Sequence, residues 1–551
     1  METSFDYIVV GAGSAGCAVA GRLAEAGEHS VAVLEAGPHD RSAVVTTPLG
    51  LVLTAGKAGP RNYGYRTQRQ PLLANRRGRQ PRGRGLGGSS SINGMVYIRG
   101  VPRDYDRWAE AGCEGWAWKD VLPYFKRSQC NERMGGRDDA LHGGAGPLNV
   151  ADQRSPSPFS RYFVEAAQAA GFRYNADFNG VEQEGVGYYQ VTQRDGERWN
   201  AARAYLHAGD GSSLSRWPNL HVLTDTQAVR IVFDGTRAIG VEVRRGNEVF
   251  TLTARREVIV SSGAFGSPQL LMASGIGPAD HLRELGVPLV IDSPDVGRNL
   301  QEHVDVLLYQ LKVRTTDLLG ASLRGAWRML REWRRYRRER TGMLTGNIAE
   351  AGGFFKSRSD LDDPDLQAHF MTAAVTKPMR WGHGYSCHMC VLRPHSRGTL
   401  RLASADTRDA PLIDLNMLSD PRDMETLVAG VRMLKRIFDQ PALKRFGGRF
   451  GDPALRADGS DDEAIREIIA NRADTAFHPV GTCRMGSDAQ SVVDPQLRVR
   501  GVQGLRVVDA SIMPTIVGGN TNAPAIMIGE KAADLILGRT TVPRCAAAVT
   551  A

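Results

Sequence analysis

Residues 6–10, Asp-Tyr-Ile-Val-Val, read as a strand whose last four positions are a short apolar run of the kind buried on both faces in a parallel sheet. A glycine-punctuated turn, 11–16, and a helical run, 17–26, follow it directly. A second apolar run at 30–34 ends on Glu35. Strand, glycine turn, helix and strand in this order predict a dinucleotide-binding unit. Gly11 permits the tight turn, Gly13 lets the backbone approach a pyrophosphate, and Gly16 lets helix and strand pack closely. Glu35, 19 residues beyond Gly16, is placed to accept both hydroxyls of a ribose. This pattern does not distinguish NAD from FAD.

Apolar periodicity marks two further segments. Residues 257–261 read as a strand that enters a second glycine-rich run, 263–277, opening a helix. Within 323–340, Leu323, Ala326, Trp327 and Leu330 fall at helical spacing, ringed by eight arginines. Three loops carry denser chemistry. Residues 82–99 combine five glycines with three consecutive serines, so the backbone can pass close to a flat ligand and offer N–H and hydroxyl donors to it. Residues 477–486 carry His478 before Pro479, and residues 507–524 end in Gly519, Asn520, Thr521, Asn522, Ala523 and Pro524. No strand–turn–helix elbow of the Gly-x-Ser-x-Gly type has suitable partners, so a Ser-His-Asp hydrolase is a poor fit.

Taken in order, these runs resemble the glucose–methanol–choline (GMC) oxidoreductases over residues 5 to about 540, and within that family bacterial FAD-dependent alcohol dehydrogenases and choline dehydrogenase-like enzymes. The resemblance implies an α/β chain with two units. A Rossmann-like FAD-binding domain would comprise 1–155, 206–310 and 471–551. A substrate domain of antiparallel sheet plus helices would comprise 156–205 and 311–470. It further implies that FAD contacts Gly11, Gly13, Ser14, Ala15, Glu35 and Ala36 through its ADP half, with Ala228 at the adenine. Ser89, Asn93, Gly94 and Val96 would lie against pyrophosphate and isoalloxazine, Asp509 and Ala510 at the ribityl and pyrophosphate, and Asn522, Ala523 and Pro524 at the pyrimidine edge. Some relatives attach FAD through a His immediately before the loop Asn; Ile92 stands there, so FAD is expected to be non-covalent.

Alcohol oxidation by a flavin needs a base at the hydroxyl while hydride leaves the α-carbon for N5. By resemblance the catalytic pair is His478, chosen among twelve histidines, and Asn522. Phe477, Tyr65 and Glu350 are candidate substrate contacts, Glu350 matching either a carboxylate that meets trimethylammonium or a structural residue. The expected substrate is an aliphatic or benzylic primary alcohol, with electrons passed to a quinone or another non-O2 acceptor. Choline dehydrogenation and O2-using alcohol oxidation are the alternatives.

Composition narrows the partners. Over 551 residues the net charge is +9, with nine lysines and 60 arginines among the 69 basic residues. Arginine spread through the chain reflects composition more simply than a polyanion site, and no nucleic-acid module is recognisable. The exception is 323–340, which suits either a peripheral anionic membrane contact or a surface helix packed on its own domain. Seven scattered cysteines argue for a reducing compartment, and Cys387 and Cys390, three apart on a strand, would face opposite ways, so no metal is expected. With no secretory leader pattern and no apolar run of spanning length, the expected location is cytoplasmic.

Overall fold

The computed structural model describes residues 2–56, 58–208, 213–374, 381–456 and 461–539. Strand β1 (Ser4–Val10), helix α1 (Ser14–Glu25) and strand β2 (Val31–Leu34) form the expected βαβ unit. They build a seven-stranded sheet ordered 220–223, β2, β1, 248–260, 237–245, 227–234, with 505–507 also pairing to 248–260. The long strand Glu248–Val260 shows two burial patterns. Alongside 237–245 it is antiparallel and largely exposed; between β1 and 505–507 it is parallel, and Val258 to Val260 are wholly buried. One strand therefore alternates where one face meets water and is continuously apolar where both faces are covered.

Close approach fixes the helices on this sheet. A Cβ on Gly16 would lie 1.9 Å from the Gly11 carbonyl oxygen, so α1 can start this near β1 only with glycine. Across α1 packs the helix Asn522–Leu537, where a Cβ on Gly529 would stand 2.4 Å from the Ala15 carbonyl oxygen. A buried ion cluster ties this pair to the rest. Glu530, with no solvent exposure, accepts from Arg22 Nε at 2.9 Å, Arg127 Nε at 2.6 Å and the Tyr205 hydroxyl at 2.6 Å. Burial alone would raise the Glu530 pKa; Arg22 and Arg127 more than offset that and lower it.

The second sheet is antiparallel, eight-stranded, and ordered 449–450, 304–311, 382–391, 366–371, 351–355, 185–188, with 320–321 and 474–475 joining off this path. Helix Pro421–Phe438 covers one face, where Leu366 and Met389 side chains meet Gly430. Residues of opposite parity, Asp305, His369, Met371 and His388, face a cavity instead. Strand pairing crosses two of the expected boundaries. Val304–Leu311, expected in the nucleotide unit, is an inner strand of the second sheet, and Asp474–Thr475 pairs with it. No turn signal separates 304–311 from the preceding polar residues, so the sequence offers no break where this strand enters the second sheet. Cys387 lies in the large core and Cys390 in a smaller separate cluster. Among the described residues, no helix is long and apolar enough to cross a membrane.

Glu530→Ala, which leaves Arg22 with only Glu25 and Arg127 with only Asp534 as ion-pair partners, should lower unfolding stability by up to about 3–5 kcal/mol, read as a drop in denaturation midpoint.

Candidate active site

Val10, Leu34, Val260 and Val507 stand in register, so Gly11, Glu35, Ser261 and Asp509 leave the sheet at one carboxyl edge. In parallel sheets that edge is where ligands bind. Here it lines a cavity of about 440 Å³ whose far wall is the second sheet. The first helix meets the cavity uncapped: Gly13, its N-cap, offers no side-chain bond, and a Cβ there would touch nothing nearer than 3.8 Å. Free N–H groups at a helix N-terminus with open approach suit a phosphate. Glu35 is buried and held by N–H groups of Gly37 at 2.9 Å, Gly85 at 2.8 Å and Ala12 at 3.2 Å. Its Oε1 is saturated, so Oε2 is the oxygen with capacity left for a hydroxyl. Burial raises its pKa despite those donors.

The serine-rich loop closes on the same edge. Gly87 and Gly88 have φ of 84° and 52°, and a Cβ on Gly88 would lie 2.8 Å from Gly13 Cα, so two ligand-facing backbones are stacked without side chains between them. Asn93 Oδ1 accepts from Met95 N and Arg198 Nη1, both at 2.9 Å. Arg198 is 1% exposed with no carboxylate beside it, and burial lowers its pKa to about 9. Asp509 accepts from Gly263 N at 2.9 Å, Ser267 Oγ at 2.5 Å and Ser511 N at 2.8 Å, which fixes the start of the 263–273 helix. Gly11, Gly13, Ser14, Ala15, Glu35, Ala36, Ser89, Asn93, Gly94, Val96, Ala228, Asp509 and Ala510 all line the cavity, with Ile92 among them. Ala523 and Pro524 are buried in the first turn of their helix and are absent from that lining. An uncapped helix N-terminus, a ribose-ready carboxylate and a side-chain-free backbone channel fit an adenine dinucleotide.

His478 sits where the two sheets' surfaces meet. Phe477 before it is held at φ 68°, a region bulky residues avoid, with its carbonyl taking an Arg82 Nη2 hydrogen at 2.7 Å. The His478 N–H donates to Glu302 Oε1 at 2.6 Å. Its ring lies between Asn520, 3.0 Å from Nε2, and His303, 3.0 Å from Nδ1. The tautomer follows from the amide chain behind it. Tyr189 O–H donates to the Ala368 carbonyl, so its oxygen accepts from Gln367 Nε2, which also donates to Asn520 Oδ1 at 3.1 Å. Asn520 therefore presents N–H to His478 Nε2, leaving that nitrogen the acceptor and Nδ1 the protonated one. Desolvation, then the neighbouring His303, His369 and Arg82, put the His478 pKa well below its ordinary value. Burial lowers His303 to about 3 and His369 to about 4, and raises Glu302 to about 7.

Two expectations change. Asn522 is not the neighbour of His478: as the first residue of its helix it accepts Ser14 Oγ at 2.6 Å, and Asn520, two residues earlier in the loop, takes the position beside the imidazole. Glu350 is absent from the lining of this cavity. It lies behind the second sheet, accepting from Ser157 N at 2.6 Å and Ser160 Oγ at 2.7 Å, where burial raises its pKa to about 7. The carboxylate thus holds the start of the 158–169 helix. Phe477 and Tyr65 do line the cavity, Tyr65 stacked on Tyr63 at 5.1 Å. Glu302 and His303 had one sequence signal, four polar residues packed into 300–305 ahead of an apolar strand.

GMC oxidoreductase family models match residues 5–305 and 394–529. An alcohol dehydrogenase (acceptor) of Pseudomonas putida is 45% identical over 97% of this chain and 96% of its own length. An oxygen-dependent choline dehydrogenase of Brucella anthropi is 41% identical over 98% and 96%. Among solved structures, formate oxidase superposes with TM-score 0.87 at 26% identity, covering 98% of each chain, and pyridoxine 4-oxidase from Mesorbium loti with 0.84 at 29%, covering 97% and 100%.

Glu302 carries a folded pKa of about 7 against 4.5 when unfolded, so its contribution to stability is full at low pH and lost as pH rises through 7. Glu302→Gln keeps the acceptor for His478 N–H without the titration. Melting temperatures measured at about pH 5 and about pH 8 should therefore shift in favour of the variant at the higher pH.

Proposed function

Because this chain belongs to the GMC oxidoreductase family, whose members depend on FAD, we propose that it oxidises an aliphatic or benzylic primary alcohol to the aldehyde and delivers the electrons to a quinone or another acceptor rather than to O2. FAD, when bound, supplies the acceptor for the hydride leaving the substrate α-carbon. The observation that carries the reading is His478, an imidazole lining the cavity with the Asn520 amide nitrogen 3.0 Å from its Nε2 and burial favouring its neutral form.

A hydroxyl placed between these groups gives its proton to His478 Nε2 and receives an N–H from Asn520. His303, neutral because it is buried, accepts the His478 Nδ1 hydrogen and keeps the lone pair of Nε2 aimed at the substrate. Once protonated, the imidazolium stabilises the alkoxide as the hydride departs, so the alcohol yields the aldehyde, one proton held on His478 and one hydride that carries the other proton and both electrons. Gly13, Ser14 and Ala15 would hold the pyrophosphate, Glu35 the ribose, Ala228 the adenine, and Ser89, Asn93, Gly94 and Val96 the flavin side. Ile92 carries no nucleophile, which supports non-covalent FAD; acid precipitation should leave the flavin in the supernatant. The choline alternative loses its anchor with Glu350, since the cavity carboxylate nearest His369 and His388, Asp305, is already paired with His388.

An anaerobic panel of butanol, benzyl alcohol and choline, followed by flavin bleaching and then repeated with O2 or a quinone analogue, tests the reading; preferential choline turnover or fast peroxide release would overturn it. His478→Ala should slow flavin reduction by about 10²–10⁴-fold. Asn520→Ala should cost more in that rate than Asn522→Ala. The acid limb of kcat/KM should fall below pH 6.5, the ordinary histidine value from which His478 is lowered.

A further inference from the structure

The helix Leu323–Glu339 turns its polar side inward and its apolar stripe outward. Its buried side chains are Glu332 and Tyr336, while Leu323 is 76% exposed, Trp327 74%, Trp333 49% and Leu330 40%. Polar bonds hold the inner face. Ser322 caps Gly325 N at 2.9 Å, Glu332 Oε2 accepts from Met343 N at 2.9 Å, and Arg328 pairs with Asp317 at 2.9 Å. The apolar stripe therefore does not pack on its own domain, which removes one of the two readings the sequence left open.

More exposed apolar surface adjoins it. Ala321, one residue before the cap, bridges to Trp381, itself 76% exposed. The turn Leu51–Thr54 exposes Leu53 at 74% and Val52 at 52%, and the preceding Leu49 shares a small cavity with Arg328, Glu332 and Arg335 of the helix. Soluble surfaces rarely gather three exposed segments of this kind without a partner. The charges around them are also uncommitted: among the described residues Arg324, Arg334, Arg337 and Arg338 form no ion pair, and Arg337 lies over the Trp333 ring at 5.7 Å.

We propose that this face, centred on Trp327 and Trp333 and rimmed by Arg324, Arg334, Arg337 and Arg338, docks the protein on an anionic lipid surface. Tryptophan favours the headgroup level, and arginines around an apolar stripe suit lipid phosphates. A second copy of the chain is a worse occupant, because a two-fold contact through the same patch would face unpaired arginines with arginines. Docking also sets the catalytic cavity at the lipid boundary, since Leu51 and Ala55 line it on either side of exposed Val52 and Leu53. The docking surface stands whether or not the alcohol reading is right.

The full FAD-loaded chain, sedimented with vesicles of phosphatidylcholine alone or mixed with phosphatidylglycerol, should bind only the anionic vesicles at about 0.05 M salt and release at about 0.5 M. Trp327→Ser with Trp333→Ser, and separately Arg334→Gln with Arg337→Gln and Arg338→Gln, should each weaken binding, the arginine set on the order of a hundredfold. Both sets lie on the surface, so melting temperature and turnover of a water-soluble alcohol should not change. Equal binding to both vesicle types, or none, overturns the proposal. So does salt-sensitive self-association in sedimentation velocity that the tryptophan variant abolishes while vesicle binding stays absent.

Discussion

Everything in the cavity depends on how near three backbones come at the end of β1. Gly11 lies so close to Ser261 that a Cβ would sit 2.5 Å from its carbonyl oxygen; Gly16 meets Gly11, and Gly88 meets Gly13, at separations that also exclude a side chain. Turn, helix start and serine loop are thus stacked by contact between main chains. A methyl at any of these points would part surfaces whose relative placement shapes one ligand channel, which explains why so many structural demands fall on so few residues.

The second sheet supplies what the first cannot. A nucleotide fold provides donors and dipoles, but no base at the reacting end. The strand 366–371 brings Gln367 and His369, the residues entering 304–311 bring Glu302 and His303, and the loop before the last helix brings Asn520. These groups favour the neutral form of His478 chiefly through low polarity, with Arg82 the least of the causes acting on it. Its neutrality is a property of the wall around it.

Legibility in the sequence followed the range of the interactions. The βαβ unit was readable because strand, turn, helix and carboxylate are contiguous and obey fixed spacing. Family resemblance singled out His478 and Asn522, whereas the side chain beside His478 is that of Asn520, two residues earlier and just ahead of the helix. Glu350 and the 323–339 stripe show the other limit. Periodicity groups residues on a face; it does not say which way the face turns, and here the buried side of the helix holds Glu332 while tryptophans point outward. The sheet membership of strand 304–311 was hidden for a similar reason, because its pairing partners lie some 80 and 170 residues downstream.

The contact between Ser14 and Asn522 spans 508 positions, as does that between Arg22 and Glu530. During synthesis, at roughly 5–20 residues per second, α1 emerges tens of seconds before the helix that covers it. Through that interval its small apolar face, Ala15, Ala18 and their neighbours, has no native cover, and the ligand channel has only one bank. Such a chain acquires its nucleotide site late and all at once, which makes the cofactor a reporter of completed folding more than a template for starting it.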